Sequence, residues 1–189
     1  MVEPSVRALG LARAELQSRL EAIDPGDWEV ATPCSEWNLR QLVNHVVGLH
    51  HRVARILRGG SRDEYVTTRA DDWIGADHLA AWRDGIRALD AAIDANQNLD
   101  GVVAYRVPMS ARNVIGLTAF DTAIHTWDAS RAIGFDERLD DELVEFALGF
   151  MNWLRRQPEL SAYFPTSDHL PSPGASAQAL LLQLAGRCP

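Results

Sequence analysis

The feature that most constrains this chain is an apolar spacing of three and four residues that returns in several long segments. It runs from Ser5 to Ile23, from Asn38 to Leu57, from Asp77 to Ile93 and from Asn113 to Ile133. Because side chains three or four apart share one face of a helix, each segment predicts an amphipathic helix. Extended patterns are few, so the sequence favours an all-α fold, an antiparallel helix bundle.

Residues that start and stop helices stand at the ends of these segments. Asn38 and Gln41 have the pattern of a capping box, and Gly134 closes the helix that begins near Asn113. Between the helices, the polar stretch 61–72 is predicted to be a loop. Residues 102–107, with three valines, predict a short extended segment.

The second half of the chain adds a fifth helix that begins near Asp140 and ends before Pro158. We expect residues 1–158 to form one bundle domain that includes this helix. Residues 159–189 are then a Pro- and Ser-rich C-terminal extension, whose short helix at 175–184 packs on the bundle. His169 lies in this extension and is expected to be exposed.

Composition argues against several classes of protein. The chain has 189 residues and a net charge of −8, which disfavours a nucleic-acid-binding surface. It has no apolar run of about 18 residues, so no membrane span is expected, and its N-terminus lacks the pattern of a signal peptide. Its two cysteines, Cys34 and Cys188, form no CxxC motif. Reduced thiols in a cytoplasmic protein are the simplest interpretation.

The stretch FDTAIHTWDASR, residues 120–131, carries ionisable residues on an apolar helix. Asp121 and His125 are four residues apart and share a face, so both can bind one ion. His45, on the second helix, is a candidate third ligand. Two imidazoles and one carboxylate leave a fourth position open, which is typical of catalytic zinc. His50 lies nearer the centre of the same apolar face, so periodicity does not choose between the two histidines.

Other interpretations of these residues stay open at this stage. Asp121 and His125 could form an ion pair without any metal. Asp128 could accept the free ring N–H of His125 and orient that ligand, or it could pair with Arg131 along the helix. Cys34 stands just before the second helix, where a thiolate could bind metal, although a small buried loop residue is the simpler interpretation.

Three motifs also resemble a known family. They are TPCSEWNLRQLVNHVVG at residues 32–48, DTAIHTWDASRAIG at 121–134 and LLQLAGRCP at 181–189. In this order they resemble the DinB/YfiT-like metal-binding bundles. More narrowly, the first motif resembles the branch that includes the N-terminal domain of mycothiol-dependent maleylpyruvate isomerase. The third motif resembles the closing leucine-rich turn and Gly-Arg-x-Pro of a small actinobacterial-type subfamily of uncharacterised metal-binding proteins.

The resemblance implies a DinB-like four-helix bundle with up-down-down-up connections. By motif it implies the metal ligands His45, Asp121 and His125, and so selects His45 over His50. Asp121 stands where relatives place a histidine or a glutamate.

The expected function is a metal-dependent enzyme, a transferase or isomerase, that activates a low-molecular-weight thiol of the mycothiol type. Its partners would be that thiol and an electrophilic substrate, and a homodimer is expected. Zinc is the first choice of metal, with nickel, cobalt, manganese and iron as alternatives. Asp128 would orient His125, and Arg131 would bind the cofactor or an anionic substrate. The alternative is a metal-binding or stress-response module without catalysis, which a fourth protein ligand such as Cys34 would favour.

Overall fold

The described part of the molecule, residues 3–161 and 174–189 of this computed structural model, is mostly helical. Its helices are α1 (Pro4–Glu21), α2 (Leu39–Leu57), α3 (Arg62–Thr67), α4 (His78–Ala95), α5 (Ala111–Ile133), α6 (Asp141–Leu154), α7 (Pro158–Ser161) and α8 (Ala177–Leu184). A turn of 3-10 helix, Thr68–Ala70, follows α3. Two short antiparallel strands, β1 (Val102–Val103) and β2 (Met109–Ser110), precede α5.

The helices α1, α2, α4 and α5 form the bundle, and their directions follow from the core. One buried cluster packs Leu20 near the end of α1 and Ala129 near the end of α5 against Leu39 at the start of α2 and Trp82 in α4. α1 and α5 therefore run one way, and α2 and α4 run the other. This is the up-down-down-up arrangement, and the predicted all-α, DinB-like bundle is confirmed.

The ends of the long helices are fixed by local sequence. The Asn38 side chain accepts from the Gln41 backbone N–H at 2.9 Å, and the Gln41 side chain accepts from the Asn38 backbone N–H at 3.0 Å. This reciprocal pair is the predicted capping box. At the C-terminal end of α5, Gly134 ends the helix with a φ of 67°, a left-handed conformation that favours glycine.

The prediction of a loop over residues 61–72 is wrong, because this connection contains α3 and the 3-10 turn. Ser61 caps α3, and Glu64 completes a second capping box. α3 has only six residues, too few to show a helical period, yet it buries Tyr65. The predicted extended segment is present as β1, in which Val103 is paired with Met109 of β2.

The C-terminal helix α8 packs against α6 and buries Leu181 and Leu182 in the larger core cluster. Residues 162–173, with His169, lie outside the described residues, so the predicted extension and its boundary at residue 158 stay predictions. Within the described ranges, no helix is long and apolar enough to cross a membrane.

Candidate metal centre

Three side chains that can bind metal meet where α2 crosses α5. His45 Nε2 lies 3.0 Å from Asp121 Oδ2. His125 Nε2, one turn further along α5, lies 3.7 Å from the same oxygen. One ligand atom from each residue lies within 4.8 Å of the other two. The antiparallel packing of α2 on α5 thus brings together the three residues that the sequence proposed as ligands.

The spacing and chemistry of these atoms fit a divalent ion. Ligand atoms bound at about 2.0–2.2 Å to a tetrahedral ion lie about 3.3 Å apart, and the observed 3.0 and 3.7 Å bracket that separation. Two imidazole nitrogens and a carboxylate oxygen suit zinc and related transition metals. Among the described residues this cluster has three members, so a fourth coordination position would be left for water or a small molecule.

The protonation states of Asp121 and His45 are those that metal binding requires. Burial alone would raise the pKa of the Asp121 carboxyl, but His125 and His45 oppose this and hold that pKa well below its ordinary value. Burial lowers the pKa of His45 despite the nearby carboxylate. Near pH 7 the site therefore presents a carboxylate and a neutral His45 imidazole, the forms that bind metal.

Asp128 orients the last of the three residues. Its Oδ2 accepts a hydrogen bond from His125 Nδ1 at 2.9 Å, and its side chain is completely buried. A carboxylate can only accept, so Nδ1 carries a proton and Nε2 is the ring nitrogen that faces the cluster. Burial raises the pKa of Asp128, but the hydrogen bonds from His125 and Arg187 outweigh it and keep the carboxyl ionised.

Arg131 lies elsewhere. Its guanidinium is paired with Glu137 at 2.8 Å, donates to the Cys188 carbonyl at 2.6 Å and stacks on the Trp127 ring. The arginine that contacts Asp128 is Arg187, near the C-terminus. Of the two interpretations of Asp128, the structure contains the contact with His125, and it does not bring Arg131 into the candidate site.

A cavity of about 230 Å³ adjoins the three candidate ligands. Its wall combines these ligands with apolar, aromatic and cationic side chains: Cys34, Trp37, His45, Leu49, Tyr65, Arg69, Tyr105, Arg106, Leu117, Thr118, Phe120, Asp121, Ile124, His125, Met151, Ala185 and Arg187. The Trp37 ring lies 4.5 Å from the His45 ring and 5.5 Å from the His125 ring, measured between centroids. Trp37 therefore covers both imidazoles on one side.

Sequence reasoning missed a second part of this cavity, the tyrosine–arginine wall formed by Tyr65, Arg69, Tyr105 and Arg106. The hydroxyl groups of Tyr65 and Tyr105 are 2.9 Å apart and both rings are buried. The Arg106 guanidinium lies 5.9 Å from the centre of the Tyr65 ring. The one signal in the sequence was the spacing of four between Tyr65 and Arg69, in a stretch predicted to be a loop.

The structure also places the two residues whose contribution was open. His50 is completely buried, its Nδ1 donates to the Val46 carbonyl at 2.9 Å, and its ring packs on Trp82 of α4. It lies outside the cluster of candidate metal ligands among the described residues. Cys34 lines the cavity but is not a member of that cluster either, and burial raises the pKa of its thiol.

Comparison with known proteins identifies proteins that are similar to this chain in sequence. Uncharacterized proteins from two strains of Mycobacterium tuberculosis are each 30% identical to this chain over 117 residues. The alignment covers 60% of this chain and 58% of each relative, so the chain spans somewhat more than half the length of these relatives.

Two solved structures share the fold. A crystal structure of the mycothiol-dependent maleylpyruvate isomerase in which a histidine is replaced by alanine has a TM-score of 0.63 at 11% identity. A further crystal structure of that isomerase has a TM-score of 0.57 at 12% identity. Each match covers 82% of this chain and 75% of the isomerase.

A family model confirms the resemblance that the first motif and most of the second carry, and it ends before the third motif. The model of the mycothiol maleylpyruvate isomerase N-terminal domain matches residues 9–130, which contain His45, Asp121, His125 and Asp128. This match spans well over half of the chain. The chain therefore belongs to the family of the mycothiol maleylpyruvate isomerase N-terminal domain.

Proposed function

We propose that this protein is a metal-dependent enzyme that activates a low-molecular-weight thiol of the mycothiol type for S-transfer or isomerisation. The observation that carries the proposal is the cluster of His45, Asp121 and His125 on the wall of a cavity, with room for a further ligand. A plain ion pair would need only one histidine beside Asp121, whereas here the Nε2 atoms of two histidines face one carboxylate oxygen.

His45, Asp121 and His125 would hold the ion, and Asp128 would orient His125. A divalent ion, zinc in our proposal, would bind the thiol sulfur at its open position and lower the thiol pKa. Nickel, cobalt, manganese and iron also suit mixed imidazole and carboxylate ligands. Asp128 keeps His125 in the tautomer that presents Nε2.

The apolar side chains of the cavity separate this thiol from bulk water. Leu117, Ile124 and the Trp37 ring line the cavity near the ligands. Water exclusion strengthens the electrostatic interactions within a site.

The tyrosine–arginine wall favours, as the electrophilic substrate, a molecule that carries an acidic group. Arg69 and Arg106 line the cavity together with the hydroxyl-bearing Tyr65 and Tyr105. A guanidinium beside hydroxyl donors suits a carboxylate, since charge-assisted hydrogen bonds are the strong ones.

The proposed reaction begins with addition of the thiol to the electrophilic substrate. The thiol sulfur forms a bond to one carbon of an activated carbon–carbon double bond, and the proton that the thiol loses is returned to the neighbouring carbon. If the adduct is released, the reaction is S-transfer. With an acceptor such as monochlorobimane, the sulfur forms the same kind of carbon–sulfur bond while the carbon–chlorine bond breaks, chloride leaves, and the thiol proton is lost to solvent. If rotation about the new single bond is followed by loss of a proton from the neighbouring carbon and departure of the sulfur as a thiolate that takes up a proton, the result is an isomerised alkene and a regenerated thiol.

The comparisons support this proposal through their names. The family and both structural neighbours are named for a mycothiol-dependent maleylpyruvate isomerase. The chain matches 75% of the isomerase chain at about one-tenth identity. Substrate and reaction are therefore what the experiment must establish.

The test combines metal analysis with a rate measurement. Tag-free protein is reconstituted with zinc and assayed with mycothiol and either maleylpyruvate or monochlorobimane, beside His125→Ala and a matched surface variant, Arg40→Gln. We expect about one zinc ion per chain and a zinc-dependent rate in wild type and Arg40→Gln, and neither in His125→Ala. Zinc binding without any rate for either acceptor would instead favour the non-catalytic metal-binding module.

A further inference from the structure

Asp128 is a completely buried carboxylate with partners on both sides. One is His125, whose Nδ1 donates to Oδ2 at 2.9 Å. The other is Arg187, whose Nη2 donates to Oδ2 at 2.7 Å and whose Nε donates to Oδ1 at 3.2 Å. The Arg187 guanidinium thus engages both carboxylate oxygens, the bidentate geometry that fixes a carboxylate most firmly.

The turn after α8 holds Arg187 in place. Gly186 has a φ of 78°, and the Arg187 backbone N–H donates to the Leu182 carbonyl at 2.8 Å. The Arg187 Nη1 donates to the Ala185 carbonyl at 2.8 Å. On the outer side, Arg131 donates to the Cys188 carbonyl at 2.6 Å. The guanidinium is therefore anchored to the backbone at the position from which it reaches Asp128.

Charge explains why a single partner would not suffice for Asp128. A buried carboxylate is costly unless it is paired and hydrogen-bonded. With Arg187 in place, the charge of Asp128 is met by a permanent cation, so a neutral His125 ring can donate Nδ1–H without itself supplying the countercharge. Without Arg187, the single hydrogen bond from His125 would have to fix the orientation of Asp128 and offset its buried charge.

We propose that Arg187 is a positioning residue of the candidate metal centre, acting through Asp128 on the tautomer and orientation of His125. The family match ends at residue 130, well before Arg187, so this contact comes from a part of the chain outside the matched domain. The inference rests on the metal site of the proposed function but not on its thiol chemistry.

The test uses the full chain, three variants of the Arg187–Asp128 pair and one control variant. Arg187→Gln removes the guanidinium, Arg187→Lys keeps the charge without the bidentate geometry, and Asp128→Asn removes the carboxylate. The control is Arg19→Gln, because Arg19 is a buried arginine that, like Arg187, reaches α5, where it donates to Ser130 Oγ at 3.0 Å. Arg19 is not among the residues that line the cavity.

Two readouts are combined. Zinc affinity is measured by competition with a chelating dye, and the His125 tautomer is measured in zinc-free protein from the nitrogen NMR shifts of the imidazole. We expect Arg187→Gln to weaken zinc binding about 10-fold and Asp128→Asn about 10–100-fold, the range for outer partners of metal ligands. Arg187→Lys should fall between wild type and Arg187→Gln.

The double variant tests whether Arg187 acts through Asp128. We expect Arg187→Gln combined with Asp128→Asn to bind zinc no more weakly than Asp128→Asn alone, because both changes remove one interaction. Arg19→Gln should lower thermal stability and leave zinc affinity unchanged.

Three results would overturn the inference: an unchanged His125 tautomer in Arg187→Gln, additive losses in the double variant, or an equal loss of zinc affinity in Arg19→Gln. Neither readout uses a thiol, so failure of the proposed catalysis leaves both intact. If wild type bound no zinc, the metal site itself would be wrong, and the tautomer measurement would still decide whether Arg187 positions His125.

Discussion

His45 and His50 lie on the same helix, both in the interior, and have opposite surroundings. His45 faces the Asp121 carboxylate of α5 at 3.0 Å and lines the cavity. His50 is completely buried, its Nδ1 donates to the Val46 carbonyl, and its ring packs edge-on against Trp82 of α4, with centroids 4.6 Å apart. One imidazole is open to a ligand, and the other is part of the packed core.

The difference comes from the helix that each histidine meets. α4 approaches α2 closely at Gly85, where an added Cβ would lie 3.4 Å from the His50 Cβ. α5 instead presents Asp121 and His125 to His45 and leaves the cavity beside them. Burial and position on the apolar face of α2 therefore do not identify the candidate ligand; the facing helix does.

Replacing each of the two histidines by alanine in turn should give the largest effect on zinc affinity and the clearest difference between the two positions. We expect His45→Ala to weaken zinc binding by more than about 100-fold, because loss of an outer partner alone costs about 10–100-fold. His50→Ala should leave zinc affinity nearly unchanged but lower the free energy of unfolding of the zinc-free protein by about 2–4 kcal/mol, the cost of a large-to-small change in a core. Chelator competition and urea denaturation measure the two quantities.

Two results would contradict the assignment of His45 as a ligand and His50 as a core residue. Equal loss of zinc affinity in both variants would mean that His50 also supports the site. Unchanged zinc affinity in His45→Ala would remove His45 from the ligand set.

Lowering the pH should reduce the free energy of unfolding of the protein through His50. Burial lowers the pKa of His50 to about 3, whereas an unfolded histidine has a pKa of about 6.5. Below about pH 6.5 the unfolded chain therefore binds a proton that the folded chain does not, and stability falls as the pH is lowered toward 3. Between pH 7 and pH 5 this one group should remove about 2 kcal/mol from the free energy of unfolding.

The control for this prediction is His50→Gln, which keeps a polar side chain but cannot titrate. Urea denaturation of zinc-free protein at pH 7 and pH 5 gives the pH-dependent loss for each chain. We expect the loss in wild type to exceed that in His50→Gln by about 2 kcal/mol. An equal loss in the two proteins would show that His50 is protonated in the folded state.

Local signals in the sequence were enough to predict the bundle helices and their ends. The capping box at Asn38 and the glycine at position 134 act within a few residues, so they are readable without the fold. The spacing of Asp121 and His125 is equally local. Choosing His45 over His50 required the resemblance, because it depends on which helix α2 faces.

Contacts between distant segments were beyond the sequence. Tyr65 and Tyr105 are 40 residues apart, and Asp128 and Arg187 are 59 residues apart. Neither pair leaves a periodic pattern, and α3 is too short to show one. The spacing of three between Asp128 and Arg131 predicts a contact along the helix. In the structure, Arg131 instead contacts Glu137 and the Cys188 carbonyl of the C-terminal turn.

The smallest expected effect separates the role of the tyrosine–arginine wall from that of the candidate metal ligands, which line the same cavity. If Arg106 binds an acidic group of the electrophile, Arg106→Gln should raise the KM for maleylpyruvate about 10-fold, because one charge-assisted hydrogen bond is worth about 1.5–3 kcal/mol. The kcat and zinc content should stay unchanged, since Arg106 lies on the tyrosine–arginine wall and is not one of the candidate ligands. The KM for monochlorobimane, which has no acidic group, should also stay unchanged.

The matched control is Arg40→Gln, because Arg40 lies in the adjoining groove, half-exposed and paired with Asp72 at 3.2 Å. We expect this variant to behave as wild type with both acceptors. A KM that rises equally for both acceptors in Arg106→Gln would show a general distortion of the cavity. An unchanged KM for maleylpyruvate would leave Arg69 and Arg187 as the cations of the cavity that could receive the acidic group. Since Arg187 is already engaged by Asp128, Arg69→Gln would then be the variant that decides whether this wall recognises charge.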